Sequence, residues 1–289
     1  MNIILRACRG FLFLILSGCL LVMGVVGQAK ALTITPDAPE AYQSFTLEQS
    51  FTGCPAFTDP DIIRVDVFPD PHIINLNVDL QDGCFAAPPT LQKVAKLLGL
   101  PGGTYSIRAR TVDADPVEPP EIGSVIVSPA PPAQPVFAFY NSGIRHYFIT
   151  AGVAEKNSLL GGGGGGGWAI VDEGFNAWPA AGPAPDAAEP VCRFYSAVVN
   201  SHFYTAGPSE CEMLKQPSSG WTYEGIAFRA LVPTKGFCYP GTVPVWRLYN
   251  DRAAQSDSNH RFVASADTYR HMIANGWIGE GVAFCSPES

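Results

Sequence analysis

The feature that most restricts this chain is a motif written three times. Its clearest copy is Val191–Val232, VCRFYSAVVNSHFYTAGPSECEMLKQPSSGWTYEGIAFRALV. Downstream, VWRLYN (Val245–Asn250), NHRFVA (Asn259–Ala264) and GWIGEGVAF (Gly276–Phe284) repeat its landmarks. Upstream, VFAFYN (Val136–Asn141), HYFITA (His146–Ala151) and GWAIVDEGF (Gly167–Phe175) do the same. The copies begin at Val136, Val191 and Val245, 55 and then 54 residues apart. A unit this short cannot bury an aromatic face alone, so neighbouring copies must complete one another's core.

Within each copy the order is constant. An aromatic strand ends in Tyr140, Tyr195 or Tyr249; a polar loop and a histidine (His146, His202, His260) lead into a second aromatic strand. A short helical stretch, Gly-Trp (Trp168, Trp221, Trp277), Glu-Gly and a further apolar strand follow. The pattern reads as two strands, a helix and two strands. Four strands in each of three copies match a closed pseudo-threefold array resembling a β-trefoil; an open propeller-like or linear stack is the alternative. Ser209-Glu210-Cys211-Glu212 has the form of a capping box and predicts a helix start there. Asn275-Gly276 predicts a helix end. Gly161–Gly167 stands where the middle copy has Pro217–Gly220 and reads as an expanded surface loop. No Lys-Ser/Thr follows it, so it is not a phosphate loop.

Ahead of the repeats, residues 32–129 read as one β-sandwich. Candidate strands are Leu32–Ile34, Phe45–Ser50, Ile62–Phe68, Ile73–Leu80, Tyr105–Thr111 and Ile122–Val127, several with clean two-residue alternation. Leu91–Leu98 fits a short helix, because Leu91, Val94, Ala95 and Leu98 share a helical face. His72 reads as a turn residue. Residues 130–135 form a Pro-rich linker, expected to act as a semi-extended spacer, and the repeat domain occupies 136–289, with copies at 136–180, 191–232 and 245–285. The expected fold class is therefore all-β with short helices.

The first 31 residues carry Arg6 and Arg9, an apolar run Phe11–Val26 and the small-x-small triplet Ala29-Lys30-Ala31, the pattern of a cleaved secretory signal. Leu16-Ser17-Gly18-Cys19 offers a competing lipobox reading, although the apolar run continues past Cys19. Beyond this segment no apolar stretch is long enough to span a bilayer. The expectation is a secreted, periplasmic or cell-surface protein without a transmembrane segment. The net charge is −8, with no basic stripe, which argues against a nucleic-acid partner. Cys54, Cys84, Cys192, Cys211, Cys238 and Cys285 remain after the signal, and an even number in an exported chain favours disulfides. Nearest-neighbour pairing within one domain or copy predicts Cys54–Cys84, Cys192–Cys211 and Cys238–Cys285. CxxC spacing is absent, so no zinc site is expected.

Two resemblances are carried by these residues. The motifs CRFY, SHFYTA, GWTYEGIAF and RLYN resemble uncharacterised repeats at the C-termini of exported bacterial and some fungal proteins, a family without an established activity. The first copy departs from it: Ala138 replaces the arginine of Arg193 and Arg247, and Glu173-Gly174 comes two residues late. Leu100-Pro101-Gly102-Gly103-Thr104-Tyr105 resembles the entry to a late strand of immunoglobulin-like domains, where a tyrosine hydroxyl bonds to backbone upstream. Ile107 departs from that pattern, standing where antibody domains place a bridge cysteine.

No GxSxG or HExxH motif is present, and no cofactor is expected. The three histidines, if brought to one axis, could bind a metal, but local hydrogen bonding and packing is the plainer reading. Glu173, Glu224 and Glu280 recur before glycine and read as turn residues, and Asp257-Ser258-Asn259 is a weak calcium pattern. The expected function is non-catalytic binding of an extracellular or cell-wall glycan through the aromatic and polar positions Tyr195, His202, Trp221, Tyr249, His260 and Trp277. Adhesion to a surface protein is the alternative. A hydrolase using His260 with Asp257 or Glu280 is a third.

Overall fold

The structure, a computed structural model, describes residues 32–288 apart from 53, 56–62, 69–71, 79, 82–89 and 112–120. The segment read as a signal (residues 1–31), Pro116, Pro119, Pro120 and the expected Cys54–Cys84 pairing lie outside the described residues. What is described is predominantly strand, in several sheets, with short helices.

The N-terminal part holds a three-stranded sheet of Thr33–Thr35, Phe45–Thr52 and Thr90–Leu97, and a four-stranded sheet of Ile63–Phe68, Ile73–Val78, Gly103–Thr111 and Glu121–Val127. Phe45, Leu47, Ile74, Leu76, Tyr105, Ile107, Val125 and Val127 fill the space between them. The expected helix at Leu91–Leu98 is a strand. It pairs antiparallel from Phe45↔Leu97 to Thr52↔Thr90, and burial alternates from exposed Val94 and Lys96 to buried Ala95 and Leu97. The same apolar residues fit both periods, and the unpaired edge of Phe45–Thr52 selects the strand. Tyr105 Oη donates to the Pro101 carbonyl oxygen at 3.1 Å.

Each repeat is a three-stranded antiparallel sheet with the opening strand in the middle: Gln134–Asn141, Glu189–Ser196 and Thr242–Tyr249. On one side lies the second strand (His146–Thr150, Ser201–Thr205, His260–Val263), and on the other the closing strand (Trp168–Ala177, Thr222–Ala230, Ile278–Pro287). Between second and closing strands run the helices α1 (Val153–Leu160), α2 (Pro208–Leu214) and α3 (Ala266–Ala274). The unit thus has three strands and not the expected four, so the strand count of a β-trefoil is not met. The Glu-Gly step, read as a boundary between two strands, is a bulge inside one. In the second copy Arg193 faces Gly225 while Phe194 faces Tyr223, leaving Glu224 as the extra residue. In the first copy Phe137 faces the three residues Asp172, Glu173 and Gly174, which accounts for their displaced position. A bulge re-aims the side chain it carries.

The three sheets close into a ring. Phe175, Phe228 and Phe284 meet on the axis, with ring centroids 5.7, 6.0 and 5.6 Å apart. Beside them Tyr204 packs between Phe228 and Phe262, and its hydroxyl donates to the Ile149 carbonyl at 2.6 Å. The ends of the closing strands also join: Trp178 exchanges backbone hydrogen bonds with Arg229, the Cys285 amide donates to Leu231, and the Asn176 amide donates to Ser286 Oγ. The third of these joins copy three back to copy one, so the open stack does not describe the molecule.

Cys192–Cys211 ties the second opening strand to α2, and Cys238–Cys285 ties the segment before copy three to its last strand, both as expected. Helix α3 ends at Asn275 followed by Gly276 at φ 90°, also as expected. Helix α2 starts two residues earlier than the capping-box reading, with Gly207 in place of Ser209 as N-cap and Pro208 in its first turn; no side chain caps it. The Pro-rich segment does not hold the two halves apart. Trp178, fully buried, donates its indole N–H to the Pro131 carbonyl at 2.9 Å, and its ring meets Tyr42 of the N-terminal sandwich edge-on. Tyr42 also meets Tyr239, so one apolar cluster runs from the sandwich into the base of the ring.

Candidate functional site

The chemistry of the ring sits at the three seams between copies. At the seam of copies one and two, Arg193 Nη1 donates to Glu155 in the first turn of α1 at 2.9 Å, while Nε pairs with Glu224 on its own copy's bulge at 2.9 Å. At the next seam Arg247 repeats this arrangement with Glu210 of α2 (3.3 Å) and Glu280 (2.8 Å). At the closing seam Ala138 occupies the arginine position. Arg261 comes instead from copy three and pairs with Glu173, which also accepts from Thr268 Oγ1 at 2.5 Å. Thr268 holds the third position of α3, as Glu155 and Glu210 do in α1 and α2.

The three histidines are not equivalent. Register against the opening strands pairs Tyr195 with His202 and Tyr249 with His260, but Tyr140 with Tyr147. His146 therefore matches Ser201 and Asn259, and all three are buried. Asn259 Nδ2 donates to Ser201 Oγ at 2.9 Å and Asn259 Oδ1 accepts from the Tyr147 amide at 2.8 Å. His146 uses both ring nitrogens, Nδ1 with the Asn200 carbonyl at 3.0 Å and Nε2 with Asp257 at 2.7 Å. Asp257 also accepts from Arg252, and with these hydrogen bonds its carboxyl stays below the usual range despite some desolvation. The loop read as a calcium pattern is thus tied up in protein contacts.

His202 and His260 each lie between two aromatic rings, His202 near Tyr195 and Phe148, His260 near Tyr249 and Phe203. Burial, aided by Arg193, pushes the His202 imidazole down to about 4. Burial and Arg247 push His260 down to about 3. Both rings are neutral near pH 7, with Nε2 3.3 Å from the Glu224 carboxylate in one and 3.4 Å from that of Glu280 in the other. The pairing of His260 with Asp257 does not occur; Asp257 belongs to His146.

Of the six residues singled out from sequence, Tyr195 and His202 line an open cleft of about 410 Å³ at the seam of copies one and two. The others are distributed around the ring. Trp221 packs on Phe203 next to the Cys192–Cys211 bridge. Tyr249 stacks on His260 and accepts from the Ala253 amide, and Trp277 packs against Tyr147. The cleft instead takes Tyr147, Phe148 and Trp168 as further aromatic walls, with Glu155, Ser158, Asn200 and Glu224 as polar ones. Asn200 Oδ1 accepts from Tyr195 Oη at 2.9 Å and so sets that ring's position.

Trp168, which follows the glycine run, is kept out of the binding set read from sequence by the first copy's departures at Ala138 and Glu173-Gly174. That run is ordered: Asn141 Nδ2 donates to the Gly166 carbonyl at 2.7 Å and Trp168 Nε1 donates to that of Gly164 at 3.1 Å. Gly164 itself forms part of the cleft wall at φ 60°, where a Cβ would sit 3.0 Å from Leu159 and 3.2 Å from the Trp168 indole nitrogen. The longer span between Ala151 and Trp168 than between Ala206 and Trp221 was the available signal.

No curated protein and no solved structure matches the chain. A family described as "Domain of unknown function (DUF5648)" matches residues 135–287, the whole of the three-copy ring and more than half of the chain, and the chain belongs to that family.

Proposed function

We propose that the ring is a non-catalytic binding module for extracellular or cell-wall carbohydrate, with the ligand seated in the cleft between copies one and two. One observation carries this reading: aromatic faces (Tyr147, Trp168, Tyr195) and hydrogen-bonding groups (Ser158, Asn200, His202, Glu224) converge on a single open cleft. Sugar rings are bound by that combination, apolar C–H faces on aromatic rings and hydroxyls on fixed polar groups. Nothing in such binding needs a proton transfer, which suits histidines held neutral by burial.

Export supports the reading. The signal-like first 31 residues and the two disulfides belong together in an oxidising compartment. Among the described residues no helix is long and apolar enough to cross a membrane. The repeats are read as those of exported proteins, and the N-terminal sandwich as immunoglobulin-like, with the Tyr105-to-Pro101 hydrogen bond supporting that likeness. The sandwich shares an apolar cluster with the base of the ring and so buttresses it.

The test is glycan-array screening of the purified chain, followed by titration calorimetry with Trp168→Ala and Tyr195→Ala. Glycan binding that both variants weaken supports the reading. A folded chain that binds no glycan but captures a surface protein gives the function to adhesion; turnover of a bound glycan makes the module an enzyme.

A further inference from the structure

The charge of the cleft narrows its ligand. Its walls carry two carboxylates, Glu155 and Glu224, and among the described residues lining it none is a lysine or arginine. One guanidinium, that of Arg193, serves both carboxylates, so one negative charge is left over. Arg193 stands behind the wall, its guanidinium carbon 5.9 Å from the centre of the Phe148 ring. The carboxylates stay partly open to solvent, 36% exposed at Glu155 and 28% at Glu224. Of the two histidines in the lining, His146 has both ring nitrogens taken up by Asp257 and the Asn200 carbonyl, and His202 is neutral. Tyr147, Phe148, Trp168 and Tyr195 supply π-faces around the same space. Carboxylates together with aromatic faces attract an ammonium group twice over, by charge and by the ring quadrupole.

We infer that the cleft selects a cationic amino sugar, a pyranose carrying a free protonated amine, over its N-acetylated, neutral or acidic counterparts. This rests on the carbohydrate reading above. The sugar ring lies against Tyr195 or Trp168, and its ammonium group faces Glu155 and Glu224. An N-acetyl group removes the charge, and a uronic acid brings its carboxylate against two others. The seam of copies two and three differs in charge: its cavity of about 290 Å³ has Arg247 itself in the lining beside Glu210 and Glu280. At the closing seam Trp277 packs on Tyr147.

The experiment titrates the full chain with chitosan, chitin and cello-oligosaccharides of equal length, and with glucosamine against N-acetylglucosamine by NMR. Binding of the free-amine sugars at least about tenfold tighter than the acetylated ones, or 1.4 kcal/mol, is expected. Ser158→Lys, a change at an exposed position of α1, places a cation in the cleft and should erase that preference while leaving the fold intact. Glu155→Gln should reduce it. Equal affinity for chitosan, chitin and cello-oligosaccharides overturns the amine selectivity but leaves carbohydrate binding standing. A chitosan preference that survives Ser158→Lys reflects the chain's net negative charge and also overturns it. Failure to bind any of the sugars removes both readings.

Discussion

Arg261 reaches across the closing seam to Glu173, supplying from copy three the cation that Ala138 of copy one lacks. At the other two seams the arginine belongs to the copy that owns the bulge, and here it belongs to the neighbour. Arg261 holds the position filled by Phe148 and Phe203 elsewhere, and its guanidinium lies over the Tyr147 ring at 4.2 Å. The electrostatic link is preserved while its donor has moved across the seam.

Arg261→Ala should therefore loosen ring closure itself. Both partners are mostly buried, and removing one side of such a pair costs about 3 kcal/mol. The double change Ala138→Arg with Arg261→Phe rebuilds the arrangement of the other seams and should recover most of that loss. Urea unfolding of the two single variants and the double variant measures the coupling. A double variant no more stable than the sum of its parts would show that the two arginine positions are not interchangeable.

Much of this was legible in the residues. The period was visible because Tyr, Gly-Trp and Glu-Gly recur at constant order, and both described disulfides follow from pairing cysteines within one copy or between a copy and the segment leading into it. The histidine alignment failed by one position at His146, since matching letters overrode register. Aligning on Ala151, Ala206 and Ala264 puts Tyr147 opposite His202 and His260. Leu91–Leu98 failed because its apolar spacing satisfies both helix and strand, and only a partner strand decides between them. The arginine exchange at Arg261 depends on two copies meeting in space, and no local pattern encodes it.

Stability should fall as pH drops below about 6.5. His202 and His260 have folded pKa values near 4 and 3, below the unfolded value of 6.5, so the unfolded chain binds protons that the folded chain refuses. Each histidine's contribution is fully present above about 6.5 and declines by roughly 1.4 kcal/mol per pH unit between the two values. Asp257 acts at lower pH: its folded pKa is depressed, so its contribution holds above the unfolded value and is lost as pH falls through the folded one. Denaturant midpoints across this range, in the native chain and in His202→Gln with His260→Gln, check the slope. An unchanged slope in the double variant assigns the acid sensitivity to other groups.

Reduction should affect the two bridges unequally. In the chain-entropy account the 19-residue span of Cys192–Cys211 contributes about 3 kcal/mol and the 47-residue span of Cys238–Cys285 about 4 kcal/mol. The second also fixes Cys285, buried in the apolar cluster shared with the sandwich. Cys238→Ala with Cys285→Ala should thus lower the melting temperature more than Cys192→Ala with Cys211→Ala. The reverse order would mean that strain or residual unfolded structure outweighs loop length.

The tryptophans provide the last discrimination. Trp168 lines the cleft and is held by the Gly164 carbonyl, whereas Trp221, its counterpart one copy on, packs on Phe203 beside a disulfide. Trp168→Ala should cost a stacked aromatic face and lower glycan affinity by about tenfold, in line with roughly 1–1.5 kcal/mol for a good aromatic contact. Its effect on stability should be the smaller of the two. Trp221→Ala should show the opposite balance, a stability loss of about 3 kcal/mol with affinity per folded molecule nearly unchanged. Parallel calorimetry and thermal melts of both variants decide the matter, because a ligand seated at the second seam would reverse the assignment of affinity loss between Trp168 and Trp221.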